Sequence, residues 1–283
     1  MSLRVHTSAL MDYNAGVFVS AGQACLVDPG VLPEEIERIA EGLDGAELAT
    51  VVLTHSDWDH VLGPEHLPST KVVAHTAYGQ TLDPEGVRVV LGRLEATKGI
   101  ARERPFDPPL PDETFDDGLH LRVGDLELRL EHAPGHTADM LTIYEPESAT
   151  LWAADMLSDV EIPLVCHDLG DYERTLATLD GREIRTLVPG HGAATDDLTE
   201  IRRRISEDRR YLDELRSGVT DAVSAGRSLD ETVAAYADLS LSRSDEDEAI
   251  HRLNIEKVYA DLGGDADPSQ VGYVRVWMEA TRS

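Results

Sequence analysis

The segment Thr54-His55-Ser56-Asp57-Trp58-Asp59-His60 constrains this chain more than any other. It directly succeeds an apolar run, residues 49–53, that reads as a buried strand. Four side chains able to bind a metal therefore lie together at a strand end. Side chains alternate in direction along a strand, so a strand cannot aim all four at one point. A tight loop after the strand can, and two closely spaced ions would accept ligands pointing two ways. Histidine and carboxylate are ordinary ligands of zinc, iron and manganese. The competing reading of the segment alone is a polar surface loop.

Three later positions repeat the pattern. His136 stands in Ala133-Pro134-Gly135-His136-Thr137, Asp155 in Trp152-Ala153-Ala154-Asp155, and His191 in Val188-Pro189-Gly190-His191-Gly192. Each is a ligand-type residue just past an apolar run. Gly135, Gly190 and Gly192 permit close backbone approach. Strand ends are where open sheets commonly place their sites.

The frame around these positions reads as alternating strands and helices. Residues 16–20 and 23–27 flank Ala21-Gly22 and predict a hairpin. Asp28-Pro29-Gly30 is a turn signal, and residues 33–42 carry helical spacing that Gly42 stops. A strand is expected at 71–74, a helix at 85–97 and an exposed proline-rich loop at 103–114. A second hairpin, 119–123 with 126–130, turns at Gly124-Asp125. Strands at 140–144, 150–153 and 185–188 and a helix at 172–179 come next. The pattern points to two sheets packed face to face with helices outside. After Thr195 the character changes: 198–216, 229–239 and 246–262 read as helices, with softer joints at 218–226 and 241–245. Residues 1–195 are expected to form the main domain, and 196–283 a helical extension packed on it.

Charge narrows the partners. The 283 residues include 54 acidic and 25 basic ones, for a net charge of −29, and Lys71, Lys98 and Lys257 are the only lysines. Such a surface repels nucleic acid and anionic lipid. It resembles proteins of a high-salt cytoplasm, where screening relieves self-repulsion. The start, Met1-Ser2-Leu3-Arg4, lacks the apolar stretch of a signal peptide, and no apolar run approaches bilayer length, so a cytoplasmic protein is expected. The two cysteines, Cys25 and Cys166, match no redox or zinc spacing.

In order, HxxxDH, PGHT, AAD and PGHG make the chain resemble the metallo-β-lactamase superfamily over roughly residues 10 to 195. The resemblance implies an α/β fold, a four-layer αββα sandwich with a helical C-terminal extension. It implies two divalent metal ions, with zinc the expected metal. His55, residue 57 and His136 would hold the first ion, Asp59, His60 and His191 the second, and Asp155 would bridge them. The family's first motif is typically HxHxDH, and its second histidine is here Asp57. Asp57 ligates and makes the first site friendlier to iron or manganese, or ligates zinc with altered affinity, or misses the metal. Flavodiiron proteins also carry a carboxylate at this position, a glutamate.

The implied activity is metal-dependent hydrolysis of a small ester, thioester, lactone or related substrate by a metal-bound hydroxide, with Asp59 orienting the nucleophile and shuttling its proton. The alternatives are an iron-dependent redox protein on the same fold and a non-catalytic metal-binding protein. A small-molecule substrate is the expected partner, without nucleic acid or membrane; an oligomer is open. Of the remaining residues, His75 is expected to pack structurally or to stand behind the metals, and His6, His66, His120, His132 and His251 to be structural or exposed. His167 can reach substrate from segment 158–168, Cys166 packs as a small hydrophobe, and Trp58 packs beneath the loop. Arg202-Arg203-Arg204 reads as helical salt-bridge spacing.

Overall fold

The computed structural model describes residues 2–67, 70–102, 104–238, 241–245 and 247–265. Strands β1 (Ser2–Thr7), β2 (Asn14–Ser20), β3 (Gln23–Val27), β4 (Glu47–Val52), β5 (Lys71–His75) and β6 (Glu113–Phe115) form one sheet in that order. Strands β7 (Gly118–Val123), β8 (Leu126–His132), β9 (Leu141–Glu145), β10 (Thr150–Trp152) and β11 (Thr186–Val188) form the second, in the order β11-β10-β9-β8-β7. The hairpin β2–β3 turns at Ala21 and Gly22, both at positive φ, as a two-residue turn requires.

Alternation within the strands builds the layers. Phe18, Val27, Val52 and Val73 of the first sheet meet Leu128, Leu130, Ile143 and Trp152 of the second in an inner core. Their neighbours Val17, Leu26 and Val51 face outward. There they pack with α1 (Pro33–Glu41), α3 (Pro84–Lys98) and the residues around the short α2 (Tyr78–Thr81). On the far side, Leu151 and Leu187 share one core with α4 (Leu169–Asp180), α5 (Leu198–Ser224) and α7 (Asp247–Asp261). The order is helix, sheet, sheet, helix, with the C-terminal helices continuous with the outer core of the second sheet.

Register sets the position of the site. The parallel strands β3, β4 and β5 align Val27 with Val52 and Val52 with Val73. The loop leaving β3 therefore lies beside the loop leaving β4. In the second sheet Trp152 pairs with Val188, so Asp155 and His191 each lie three residues beyond a matched pair. An Asn14 N–H bond to Gly190 O (2.7 Å) and a Leu141 N–H bond to Thr54 O (2.9 Å) tie the two sheets together at this edge.

Several expectations are revised. The loop expected at 103–114 ends in β6, a short edge strand, and β1 adds a strand on the other edge. Glu103 lies outside the described residues. The joint expected at 218–226 begins later: α5 runs through Gly218 to Ser224 and the break falls at 225–228, while at Gly218 the Tyr236 ring occupies the space a Cβ would fill, 2.7 Å away. The helix expected at 229–239 is α6 (Leu229–Ala235), capped by Ser228 with a reciprocal Glu231 bond. Positions 239, 246 and 266–283 lie outside the described residues. Among the described residues, no helix is long and apolar enough to cross a membrane.

Candidate metal centre

Beyond β4 the chain turns tightly, with His60 N–H donating to Asp57 O at 3.0 Å. The turn bends the four ligand-type side chains toward one point. The loops after β8, β10 and β11 bring His136, Asp155 and His191 to the same point. Two groups result: His55, Asp57, His136 and Asp155, and Asp59, His60 and His191, with the candidate ligand atoms of each group within 4.8 Å of one another. All seven side chains are at most 10% exposed.

Asp57 lies inside the first group. Its Oδ2 is 3.1 Å from His136 Nε2 and 3.6 Å from His55 Nε2. Asp155 reaches both groups. Its Oδ2 lies 3.5 Å from His55 Nε2, 3.7 Å from His136 Nε2 and 3.6 Å from His191 Nε2, and its Oδ1 lies 3.2 Å from His60 Nε2. Asp59 Oδ2 sits 3.1 Å from His191 Nε2 and 3.6 Å from His60 Nε2.

Each imidazole is held from behind. His136 Nδ1–H donates to Leu164 O at 2.9 Å and His191 Nδ1–H to Met11 O at 3.0 Å. His60 Nδ1–H donates to Asp28 Oδ2 at 3.0 Å, and His55 Nδ1 lies 3.0 Å from Thr54 Oγ1. These partners fix ring orientation and leave every Nε2 facing inward. In the sequence Asp28 reads only as part of a turn. It is fully buried and also accepts Thr54 N–H at 2.8 Å and Thr54 Oγ1–H at 2.6 Å. Its signal is positional: an acid after β3 lies beside the loop after the parallel β4. Tyr13 sets its ring edge against His60 and His191 and donates to Asp28 O. Asn14 pins the His191 loop through Pro189 O and Gly192 O. A Cβ at Gly190 would lie 2.2 Å from Asp155 Oδ1, so a larger residue there would displace that carboxylate.

The electrostatics are those of a site that calls for cations. Burial alone would lower the His55 and His191 pKa values; for His55, Asp155 and Asp57 outweigh it, and for His191, Glu161 and Asp155 do. Both stand well above the ordinary value. His60, subject to burial and to repulsion from His55, is still pushed up to about 9 by Asp155, Asp59 and Asp28. Burial would raise the Asp57 pKa, but His136 and His55 hold it well below the usual carboxylate range. His55 Nε2, His60 Nε2 and Asp155 Oδ1 are buried without a hydrogen bond of good geometry. Inward lone pairs and three gathered carboxylates fit divalent cations.

The other singled-out residues fall outside these two groups. His75 stacks on His132 (3.8 Å between ring centroids) and donates to Asp116 O. His167 pairs with Asp171 at 3.4 Å, Cys166 packs against the outer core, and Trp58 is buried beneath the loop. Arg203 bridges Glu200 and Glu207 at helical spacing. Arg204 does more than that spacing indicates. It is buried, and besides Glu200 it donates to Leu157 O and Ala193 O, joining the loops that carry Asp155 and His191.

The family model of the metallo-beta-lactamase superfamily matches residues 10–191. An uncharacterized protein of Aquifex aeolicus is 33% identical over 138 residues, covering 48% of this chain and 61% of that protein. An atrochrysone carboxyl ACP thioesterase of Paecilomyces divaricatus is 27% identical over 217 residues, covering 74% of this chain and 59% of that protein. The chain thus spans about three fifths of the length of these relatives. A solved metallo-beta-lactamase family protein of Thermus thermophilus shares the fold, with a TM-score of 0.65 at 20% identity and 93% of each chain covered. The family match extends over more than half of the chain and includes all seven clustered side chains, and this chain belongs to the metallo-beta-lactamase superfamily.

Proposed function

We propose that the chain is a metal-dependent hydrolase of a small-molecule ester or thioester. His55, Asp57 and His136 would hold one divalent ion, Asp59, His60 and His191 a second, and Asp155 would be shared. One observation carries the reading: Asp155 stands within 3.7 Å of an inward Nε2 from each of four histidines. Residues 1–195 form the catalytic body in this reading, and the C-terminal helices brace it. A thioesterase among the relatives supports the substrate class.

Divalent ions, when bound, supply Lewis acidity that lowers the pKa of water and polarises a carbonyl. The chain's own residues do the rest. Asp59 orients the attacking water and takes its proton at the carboxylate. The buried imidazoles, each held at Nδ1, keep the site rigid through the reaction. Segment 158–168 flanks the site, with Glu161 Oε1 3.9 Å from His191 Nδ1, and shapes the approach of substrate.

Zinc-loaded protein assayed against a panel of short acyl thioesters and aryl esters is expected to hydrolyse at least one, with activity lost on chelation and in Asp59→Asn. A metal-loaded protein inert toward every ester and thioester, yet reducing oxygen, would replace this reading with the iron redox one. Asp57 favours that second reading, since it makes the first group richer in oxygen ligands than a histidine would.

A further inference from the structure

Segment 158–168 runs beside the metal centre in neither strand nor helix, and α4 begins just past its end at Leu169. Its backbone polar groups need partners from elsewhere. Side chains of the C-terminal helical region supply them. Arg243 Nη1–H donates to Glu161 O at 2.8 Å, and Ile162 N–H donates to Asp247 Oδ1 at 3.3 Å. Val165 N–H donates to Asn254 Oδ1 at 2.8 Å, and Asn254 Nδ2–H donates to Pro163 O at 2.7 Å.

Asn254 thus grips the backbone on both sides of Leu164. The Leu164 carbonyl is the group that accepts His136 Nδ1–H. From α7, far along the sequence, a fully buried amide fixes the peptide that orients a candidate metal ligand.

The direction of each bond in this network is determined. His251 Nε2 lies 2.7 Å from Tyr236 O, which can only accept, so Nε2 carries the proton. Burial lowers the His251 pKa, which leaves Nδ1 as an acceptor. Tyr211 O–H then donates to His251 Nδ1 at 2.9 Å, and the Tyr211 oxygen accepts Asn254 Nδ2–H at 2.9 Å. Both amide protons of Asn254 are committed, one to Tyr211 and one to Pro163, and its oxygen faces Val165. The chain of donors runs outward, from His136 through the Leu164–Val165 peptide, Asn254, Tyr211 and His251 to Tyr236 O.

We propose that Asn254 is a positioning residue for the first metal site: by clamping Pro163 and Val165 it holds the Leu164 carbonyl on His136 Nδ1 and keeps the His136 Nε2 lone pair aimed between Asp57 and Asp155. The inference rests on the metal reading above. Groups that orient a ligand from outside are typically worth about 10–100-fold in metal affinity.

The test uses the full chain, with zinc stoichiometry by mass spectrometry and affinity by chelator competition. Asn254→Leu preserves volume and removes the clamp. It is expected to weaken one of two zinc ions by about 10–100-fold and leave the other at wild-type affinity. Tyr211→Phe, which spares both backbone contacts, is expected to keep both ions. In a His136→Ala background, Asn254→Leu is expected to remove no further metal, a non-additivity that a merely structural role would not produce. Should Asn254→Leu fail to fold, Asn254→Asp carries the test with the same expected direction, since it keeps the acceptor for Val165 and loses the donor to Pro163. Wild-type affinity for both ions in the folded variant overturns the inference and leaves the metal reading standing. Wild-type protein that takes up no zinc, iron or manganese overturns the metal reading and the inference with it.

Discussion

At the scale of single residues, the candidate centre is a matter of which nitrogen carries a proton. Asp28 illustrates it. As a carboxylate it accepts from His60 Nδ1 and leaves Nε2 with its lone pair turned inward. Asp28→Asn keeps the shape but sets an amide donor against Nδ1, which favours the tautomer whose Nε2 carries hydrogen and cannot ligate. The expected result is a loss of about 10–100-fold in affinity for the second ion, read by chelator competition, with little change in the first. Wild-type affinity for the second ion in the variant would show that Asp28 serves only Thr54. The seven inward side chains are all readable from sequence, because each is a ligand-type residue at the end of an apolar run. The residues behind them are not. Asp28, Arg204 and Asn254 have no local signature, since an outer partner is defined by what lies across the fold and not by its neighbours in sequence.

At the scale of elements, strands and helices with strong periodicity lie close to where the sequence puts them, and the departures have identifiable causes. Edge strands β1 and β6 each pair on one side only, and their sequences lack the continuous apolar run of a central strand. Gly218 reads as a breaker, yet sits within α5 where the Tyr236 ring takes the place of a side chain. Two effects oppose each other in Gly218→Ala. Helix propensity favours alanine by about 1 kcal/mol, while overpacking against a ring 2.7 Å from the new Cβ costs about 1–3 kcal/mol. The clash is expected to win, with a net loss of about 1 kcal/mol in urea unfolding of metal-free protein. A gain in stability would mean that Tyr236 moves aside at no cost.

At the scale of the whole molecule, two charge distributions matter. The chain carries an excess of 29 negative charges, and among the described residues most acidic side chains are at least partly exposed. Their mutual repulsion is screened as the Debye length falls from about 10 Å at 0.1 M salt to about 3 Å at 1 M. The Tm is therefore expected to rise with potassium chloride over that range, in a thermal melt tracked by circular dichroism. A flat or falling Tm would show that the acidic surface costs the fold nothing. The interior holds the second distribution, three carboxylates gathered among four histidines at the edge where the two sheets meet. The fold places them there through strand register, and the region after residue 195 closes the same edge from outside through Arg204 of α5, Arg243 of the α6–α7 connection and Asn254 of α7.

In the proposed centre Asp57, between His55 and His136, completes the first of two ion sites, so metal content per chain in wild type and Asp57→Ala is the most direct measurement. Protein purified without chelators is expected to carry about two divalent ions in wild type and about one in the variant, because the first group loses its only unshared carboxylate. One ion or none in both proteins would contradict the account.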